Sequence, residues 1–218
     1  MPDYISVELA EEVGWHIGDG SMNFYNNRGK LRGFYQLRGH IEDDKEHYEK
    51  RIRPLFEKLF GVKLSIREMP STRVVGFQVW NNDLVNFKKK FGLPLGRKDY
   101  IEIPKEFLKS SKLKKAVLRG IFDTDGGIYL EPKNHKLYPR IYITTISKEL
   151  SEQLLTLFRN MGLRATKHLW DPKRGKRKIE YNITIRGVEM FHKFIREISP
   201  KNPKHIRKYQ KFLRSQNL

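Results

Sequence analysis

Landmarks in the first half of the chain return 106 residues later, and this internal repeat limits the fold more than any other feature. Gly14 and Gly120, Asp19 and Asp125, Pro94 and Pro200, and Lys98 and Lys204 all keep the offset. Between these landmarks the order of elements recurs. "SVELAEEVGWHI" and "SKLKKAVLRGIF" read as helices with Ser6 and Ser111 as N-caps. Strand-like runs follow, "MNFY" with "LRGFYQLR" in one copy and "IYL" with "RIYITT" in the other. Next comes an amphipathic helix, "DKEHYEKRIRPLFEKLFG" or "SKELSEQLLTLFRNMG", stopped by Gly61 or Gly162. Two further strands ("VKLSIRE" with "RVVGFQVW", "LRATKHLW" with "RKIEYNITIR") and a short helix ("NDLVNFKKKFG", "GVEMFHKFIREI") close each copy.

The fold class expected is therefore α+β, two pseudo-symmetric αββαββα halves spanning 1–104 and 105–218. The boundary is placed near Pro104, where Gly and Pro interrupt periodicity in "GLPLGRKDYIEIPKEFLKSS". The tail "KHIRKYQKFLRSQNL" reads as a basic terminal helix with Ile206, Tyr209 and Leu213 on an apolar face.

The net charge of +19 over 218 residues points to a polyanionic partner. The excess is uneven: residues 111–218 hold 25 Lys/Arg against 9 Asp/Glu, residues 1–110 hold 19 against 16. Cysteine is absent, which excludes a disulfide framework and thiolate-bound zinc. "MPDYISVELAEEV" lacks the regions of a signal peptide, and no apolar run approaches the roughly 20 residues that span a bilayer. An intracellular location at DNA, cytoplasmic or organellar, with no membrane partner, is the expectation.

Small residues four apart, Gly14 with Gly18 and Gly120 with Thr124, let two helix backbones approach closely. Such a pair would bring Asp19 and Asp125 side by side at helix C-termini, where the macrodipoles already disfavour negative charge. A divalent cation resolves that conflict, and hard oxygen donors suit magnesium, which can activate water in phosphodiester cleavage. Taken singly, each Asp-Gly turn is an ordinary structural turn. "DTDGG" is no calcium-binding EF-hand loop, because Asn134 stands at the twelfth position, where that loop needs Glu.

"VGWHIGDGS" and "LRGIFDTDGG" resemble the two motifs of a single-chain LAGLIDADG homing endonuclease, over essentially the whole chain. The second motif matches well. The first departs, with Glu12 for the leading apolar residue and Ile17 for the earlier aspartate. The resemblance implies a central two-helix interface, saddle-shaped antiparallel sheets lying along DNA, and hydrolysis of one phosphodiester in each strand. It also implies that Asp19 and Asp125 are catalytic and metal-binding, and that the carbonyls of Gly18 and Thr124 face Mg2+, or another divalent cation such as Mn2+. Lys98 and Lys204 match a family lysine near the scissile phosphates, where a cation stabilises developing charge. Further implications are 3′ overhangs and mobility of a host intron or similar element.

The strands carry the interface with double-stranded DNA. In "KIEYNITIR", Lys178, Glu180, Asn182, Thr184 and Arg186 alternate with Ile179, Tyr181, Ile183 and Ile185, so one face suits a core and the other a groove. Arg140, Tyr142 and Thr144 alternate likewise with Ile141, Ile143 and Thr145. Tyr129, Lys133 and Lys167 complete the second-half set of DNA contacts. The first-half set is Asn23, Tyr25, Arg32, Gln36, Arg38, Arg67 and Gln78. "DPKRGKRK" and, more weakly, "RGKLR" are basic loops for backbone phosphates. His16 and His40 read as structural, and Trp15, Trp80 and Trp170 as packing residues.

One chain with both motifs needs no partner copy, and unlike halves imply an asymmetric target cut by a monomer. The competing expectation is a binder without chemistry on the same scaffold: a maturase with intron RNA as partner, or a transcription regulator.

Overall fold

The computed structural model describes residues 1–133, 136–172 and 178–216, without the side chain of Asn27. The first half runs α1 (Val7–Gly18), β1 (Gly20–Asn27), β2 (Lys30–His40), α2 (Ile41–His47), a π-helical turn (Tyr48–Ile52), α3 (Arg53–Phe60), β3 (Arg67–Met69), β4 (Val74–Trp80) and α4 (Asn82–Lys90). The second runs α5 (Ser111–Asp125), β5 (Gly126–Lys133), β6 (Lys136–Thr145), α6 (Lys148–Asn160), β7 (Ala165–Trp170), β8 (Glu180–Arg186), α7 (Val188–Ile198) and α8 (Pro203–Gln216). The αββαββα order thus occurs twice, with α8 appended.

Each half contains a four-stranded antiparallel sheet, ordered β1-β2-β4-β3 and β5-β6-β8-β7. Their registers coincide under the 106-residue offset: Asn23 faces Phe34 and Phe34 faces Trp80, as Tyr129 faces Arg140 and Arg140 faces Arg186. Met22, Tyr35, Leu37, Val75 and Phe77 occupy the inner face of the first sheet, and Ile128, Ile141, Ile143, Ile183 and Ile185 that of the second. One buried hydrophobic cluster runs through both halves and includes Val13 and Ile17 of α1 with Val117 and Ile121 of α5.

Local chemistry sets the ends of elements. The Ser6 hydroxyl accepts the Leu9 N–H at 3.0 Å and caps α1. The cap of α5 is Ser110, not Ser111; its hydroxyl accepts from Leu113, and Ser111 becomes the first helical residue. Gly61 and Gly162 end their helices at φ +65° and +70°, the left-handed region a side chain disfavours. "VKLSIRE" yields only a short strand at Arg67–Met69. The α8 face differs from expectation: His205, Tyr209 and Phe212 turn inward at i, i+4 and i+7, leaving Ile206 and Leu213 exposed.

Candidate active site and nucleic-acid interface

α1 and α5 cross through glycine. A methyl group on Gly14 would lie 2.8 Å from the Gly120 Cα, and one on Gly120 2.8 Å from the Gly14 Cα. These contacts are with helix backbone, so larger residues would force the helices apart. One turn on, a methyl on Gly18 would lie 2.9 Å from the Thr124 Cβ and 3.4 Å from the Asp125 carboxyl carbon. The Thr124 hydroxyl folds back onto the Gly120 carbonyl at 2.9 Å, keeping its own helix compact. Asp19 caps α1 and Asp125 ends α5, so both aspartates stand at C-terminal poles beside each other.

The electrostatics follow from that placement. Asp19 is half-buried, and its carboxyl is pushed well above the ordinary range, first by desolvation, then by the Asp125 and Asp44 carboxylates. Asp125 opens to solvent on one side, yet the protein around it and the charge of Asp44 raise its carboxyl too, against the pull of Lys98 and Lys204. Its pocket is lined by Gly18, Lys98, Asp125, Thr144 and Glu180. The site therefore opens onto the outer face of the second sheet, to which Thr144 and Glu180 belong.

Lys98 and Lys204 keep sequence register but have different partners. The Lys98 ammonium donates to the carbonyls of Gly18 and, at 3.0 Å, Ile17, so it closes the C-terminus of α1. Burial lowers its pKa while Asp125 and Asp19 pull it back up. The Lys204 ammonium donates to Asp44 at 2.8 Å. Asp44 of α2 also accepts from the Asn202 amide at 2.7 Å and the His40 N–H at 2.9 Å. It is thus a third carboxylate that links the first half to the lysine of the second, across 160 residues.

The π-helical turn after α2 starts at Tyr48, whose hydroxyl donates to Asp19 at 3.3 Å, and ends near Arg51, which holds Glu11 with two hydrogen bonds of 2.8 and 2.9 Å. Asp44, Tyr48 and Asn202 carry no signal in the sequence, since their neighbours are remote in the chain. The departures in the first motif have local explanations. Asp123, the earlier aspartate of the second motif, accepts the Lys201 N–H at 2.9 Å and so anchors the segment bearing Lys204. Its carboxyl is pushed up to about 7, chiefly by burial. Ile17 instead packs in the core, and its side of the site is tied by Lys98. Glu12 is fully buried against Lys88, with ammonium-to-oxygen distances of 2.6 and 2.7 Å.

Strand register sorts the expected DNA contacts. Asn23, Tyr25, Arg32, Gln36, Arg38, Arg67 and Gln78 all lie on the outer face of the first sheet. Tyr129, Lys133, Arg140, Tyr142, Thr144, Asn182 and Arg186 lie on the corresponding face of the second. Lys178 precedes β8 and is ion-paired with Asp99. Lys167 is a correction: it pairs with Ile183, so alternation turns it to the helix side, where its ammonium binds Glu152 of α6. Two tryptophans are corrections as well. Trp15 is buried and His16 stacks on Tyr35, but Trp80 is 54% and Trp170 44% exposed, both on outer faces. Arg28 and Lys30 sit at the first hairpin's tip, and residues 173–177 of "DPKRGKRK" lie outside the described residues. Among the described residues no helix is long and apolar enough to cross a membrane.

Two helices thus cross through glycine, and each delivers an aspartate at the point where they meet. Residues 112–199 match a LAGLIDADG-like domain. The chain has the fold of the homing endonuclease I-DmoI in complex with DNA and calcium, at 20% identity, TM-score 0.64 and coverage of 88% of each chain. It is also similar to the LAGLIDADG meganuclease I-AabMI bound to uncleaved DNA (14% identity, TM-score 0.60, 98% and 91% covered) and to the LAGLIDADG homing endonuclease I-GzeII in complex with its DNA target (12%, 0.57, 98% and 89%). Among curated proteins it matches the replication factor C small subunit of Methanocaldococcus jannaschii, 29% identical over 210 residues. That match takes in 96% of this chain, which spans about a tenth of that protein's length.

Proposed function

We propose that the chain is a monomeric, divalent-metal-dependent DNA endonuclease that hydrolyses one phosphodiester in each strand of a long asymmetric site. Its two halves, 1–104 and 105–218, would each bring one motif helix and one sheet. The observation that carries this reading is the pairing of Asp19 with Asp125 at abutting helix C-termini, with Asp125 lining a pocket that opens onto a sheet face rich in Arg, Tyr and Asn.

The donor set fits a hard cation: two carboxylates at the negative poles of helices, both raised first by burial and that of Asp19 also by the Asp125 charge, preceded by the Thr124 carbonyl and by the Gly18 carbonyl that here accepts from Lys98. I-DmoI has been solved with DNA and calcium and with DNA and manganese. Asp19 and Asp125 would hold magnesium or manganese, which would supply charge neutralisation and a more acidic water. Asp19 and Asp125 hold their oxygens at the meeting point of the helices. Lys98 and Lys204 supply positive charge beside them, with Asp44 fixing Lys204 and Tyr48 fixing Asp19. The sheet faces hold the duplex by phosphate and base-edge contacts. A protein that only bound nucleic acid would have no use for two like-charged carboxylates forced together at a cost in stability. Cleavage leaving 3′ overhangs, in the service of mobility of a host intron or other intervening element, is part of the same proposal.

The test joins the two DNA flanks of the gene to rebuild the uninterrupted locus and incubates it with the protein and magnesium or manganese. Asp19→Asn and Asp125→Asn should each reduce cleavage at least about a hundredfold, the scale of losing one transition-state contact, with binding nearly intact. Normal cutting by both variants would refute the assignment.

A further inference from the structure

The two sheets share a register, so their outer faces can be compared position by position, and one row differs in kind. In the first sheet, the row beyond Asn23 is Phe34 and then Trp80, with ring centroids 4.8 Å apart and Tyr25 edge-on to both at 5.8 and 6.1 Å. In the second sheet, the same row beyond Tyr129 is Arg140 and then Arg186. Neither arrangement is what a solvated sheet face favours. Trp80 is 54% and Tyr25 48% exposed, so two large aromatic rings face water beside Phe34. Cations directly opposed on neighbouring strands repel. Only Arg140 is offset, by Glu131 at 3.1 Å; Arg186 has no ion pair among the described residues.

Both anomalies resolve against the edges of base pairs. An apolar row complements the thymine methyl, which projects into the major groove, and an arginine fork complements the O6 and N7 acceptors of guanine. Arg32, Arg38 and Arg67 share the outer face with the aromatic row, which suits a polyanion there. Asn23 lies four residues from Asp19, or ~13 Å along an extended strand, and Tyr129 lies four from Asp125. At 3.4 Å per base pair, that is about four base pairs outward on each side from the centre, where the two aspartates meet.

Resting on the nuclease reading above, we infer that the Phe34–Trp80 row reads thymine on one side of the target and the Arg140–Arg186 row reads guanine at the mirrored position. The two ends are then told apart by chemistry at a single row, which fixes the orientation of an asymmetric site.

The experiment is a binding selection with the full chain on randomised double-stranded DNA in calcium. The enriched sequence should carry thymine about four base pairs from the centre on one side and guanine on the other. Replacing that thymine by uracil removes only the methyl and should weaken binding about fourfold, the equivalent of ~0.8 kcal/mol. Replacing the guanine by 7-deazaguanine should weaken it at least about fivefold. The double variant Phe34→Arg with Trp80→Arg should shift the first preference from thymine to guanine. Equal binding of uracil and thymine DNA, or no such preference in the enriched sequence, overturns the inference and leaves the nuclease reading standing. A library from which nothing is enriched overturns both.

Discussion

Glu12 and Lys88 offer a sharp test of how the first motif tolerates its departure. Both side chains are essentially removed from solvent, at 0% and 1% exposure, and each carboxylate oxygen accepts from the ammonium. The ammonium also lies 4.7 Å from the Tyr35 ring centroid and 5.4 Å from that of Phe60, and the Tyr35 hydroxyl donates to Glu12 at 3.3 Å. Burial alone lowers the Lys88 pKa; Glu12 opposes that shift. Breaking such a pair leaves one charge buried without its partner, which costs about 3–5 kcal/mol. For a chain this size, each kcal/mol moves Tm by about 2–4 °C, so Lys88→Met and Glu12→Leu should each lower it by roughly 6–20 °C. Together they should restore most of the loss, provided Tyr35→Phe removes a hydroxyl otherwise left unsatisfied at about 1–3 kcal/mol. Urea and thermal melts of the single, double and triple variants form the assay, with coincident probes to confirm one transition. The reasoning fails if either single change costs under about 1 kcal/mol, or if the triple variant is no more stable than the singles.

Two further outcomes follow from the helix crossing. Gly14→Ala gains about 1 kcal/mol in helix propensity, but its methyl meets the α5 backbone, and separating the helices costs about 1–3 kcal/mol. Cleavage should fall more than DNA affinity, and a variant that cuts at the wild-type rate would show that the crossing does not set the spacing of the aspartates. The pH dependence of metal-free stability has a fixed sign. Burial holds the carboxyls of Asp19, Asp123 and Asp125 above the ordinary aspartate value, that of Asp123 at about 7, so over this interval the folded state binds more protons than the unfolded one. Their stabilisation is complete below about pH 4 and is lost as pH rises towards the folded values. Replacing Asp19 by Asn should flatten that decline in urea titrations between about pH 4 and 8, and an unchanged slope would contradict the shift.

The aspartates could be found from sequence because each stands at the end of a periodic helix and the offset ties the two together. The outer sheet faces were legible for a similar reason: a strand alternates every residue, so naming one inward isoleucine assigns its neighbours. Lys167 shows the limit. It sits between Ala165 and Leu169 on the inward parity, and its basic character outweighed an alternation that its own segment displays. Trp80 and Trp170 err in the opposite direction, because hydrophobicity alone cannot show whether a large ring is covered. The contact between Lys204 and Asp44 has no local trace at all.

What the sequence determined by itself is the duplication: two helices with small residues four apart, each ending in an acidic residue, and two sets of alternating strands under one offset. These are short-range properties, set by backbone period and by the residues at element ends. Tertiary structure decided how the two copies differ. It placed Asp44 against Lys204, gave Lys98 the C-terminal carbonyls of α1, and set an aromatic row and an arginine row at matching positions of the two sheets. Those distinctions depend on contacts between segments far apart in the chain, where packing and charge balance choose the partners.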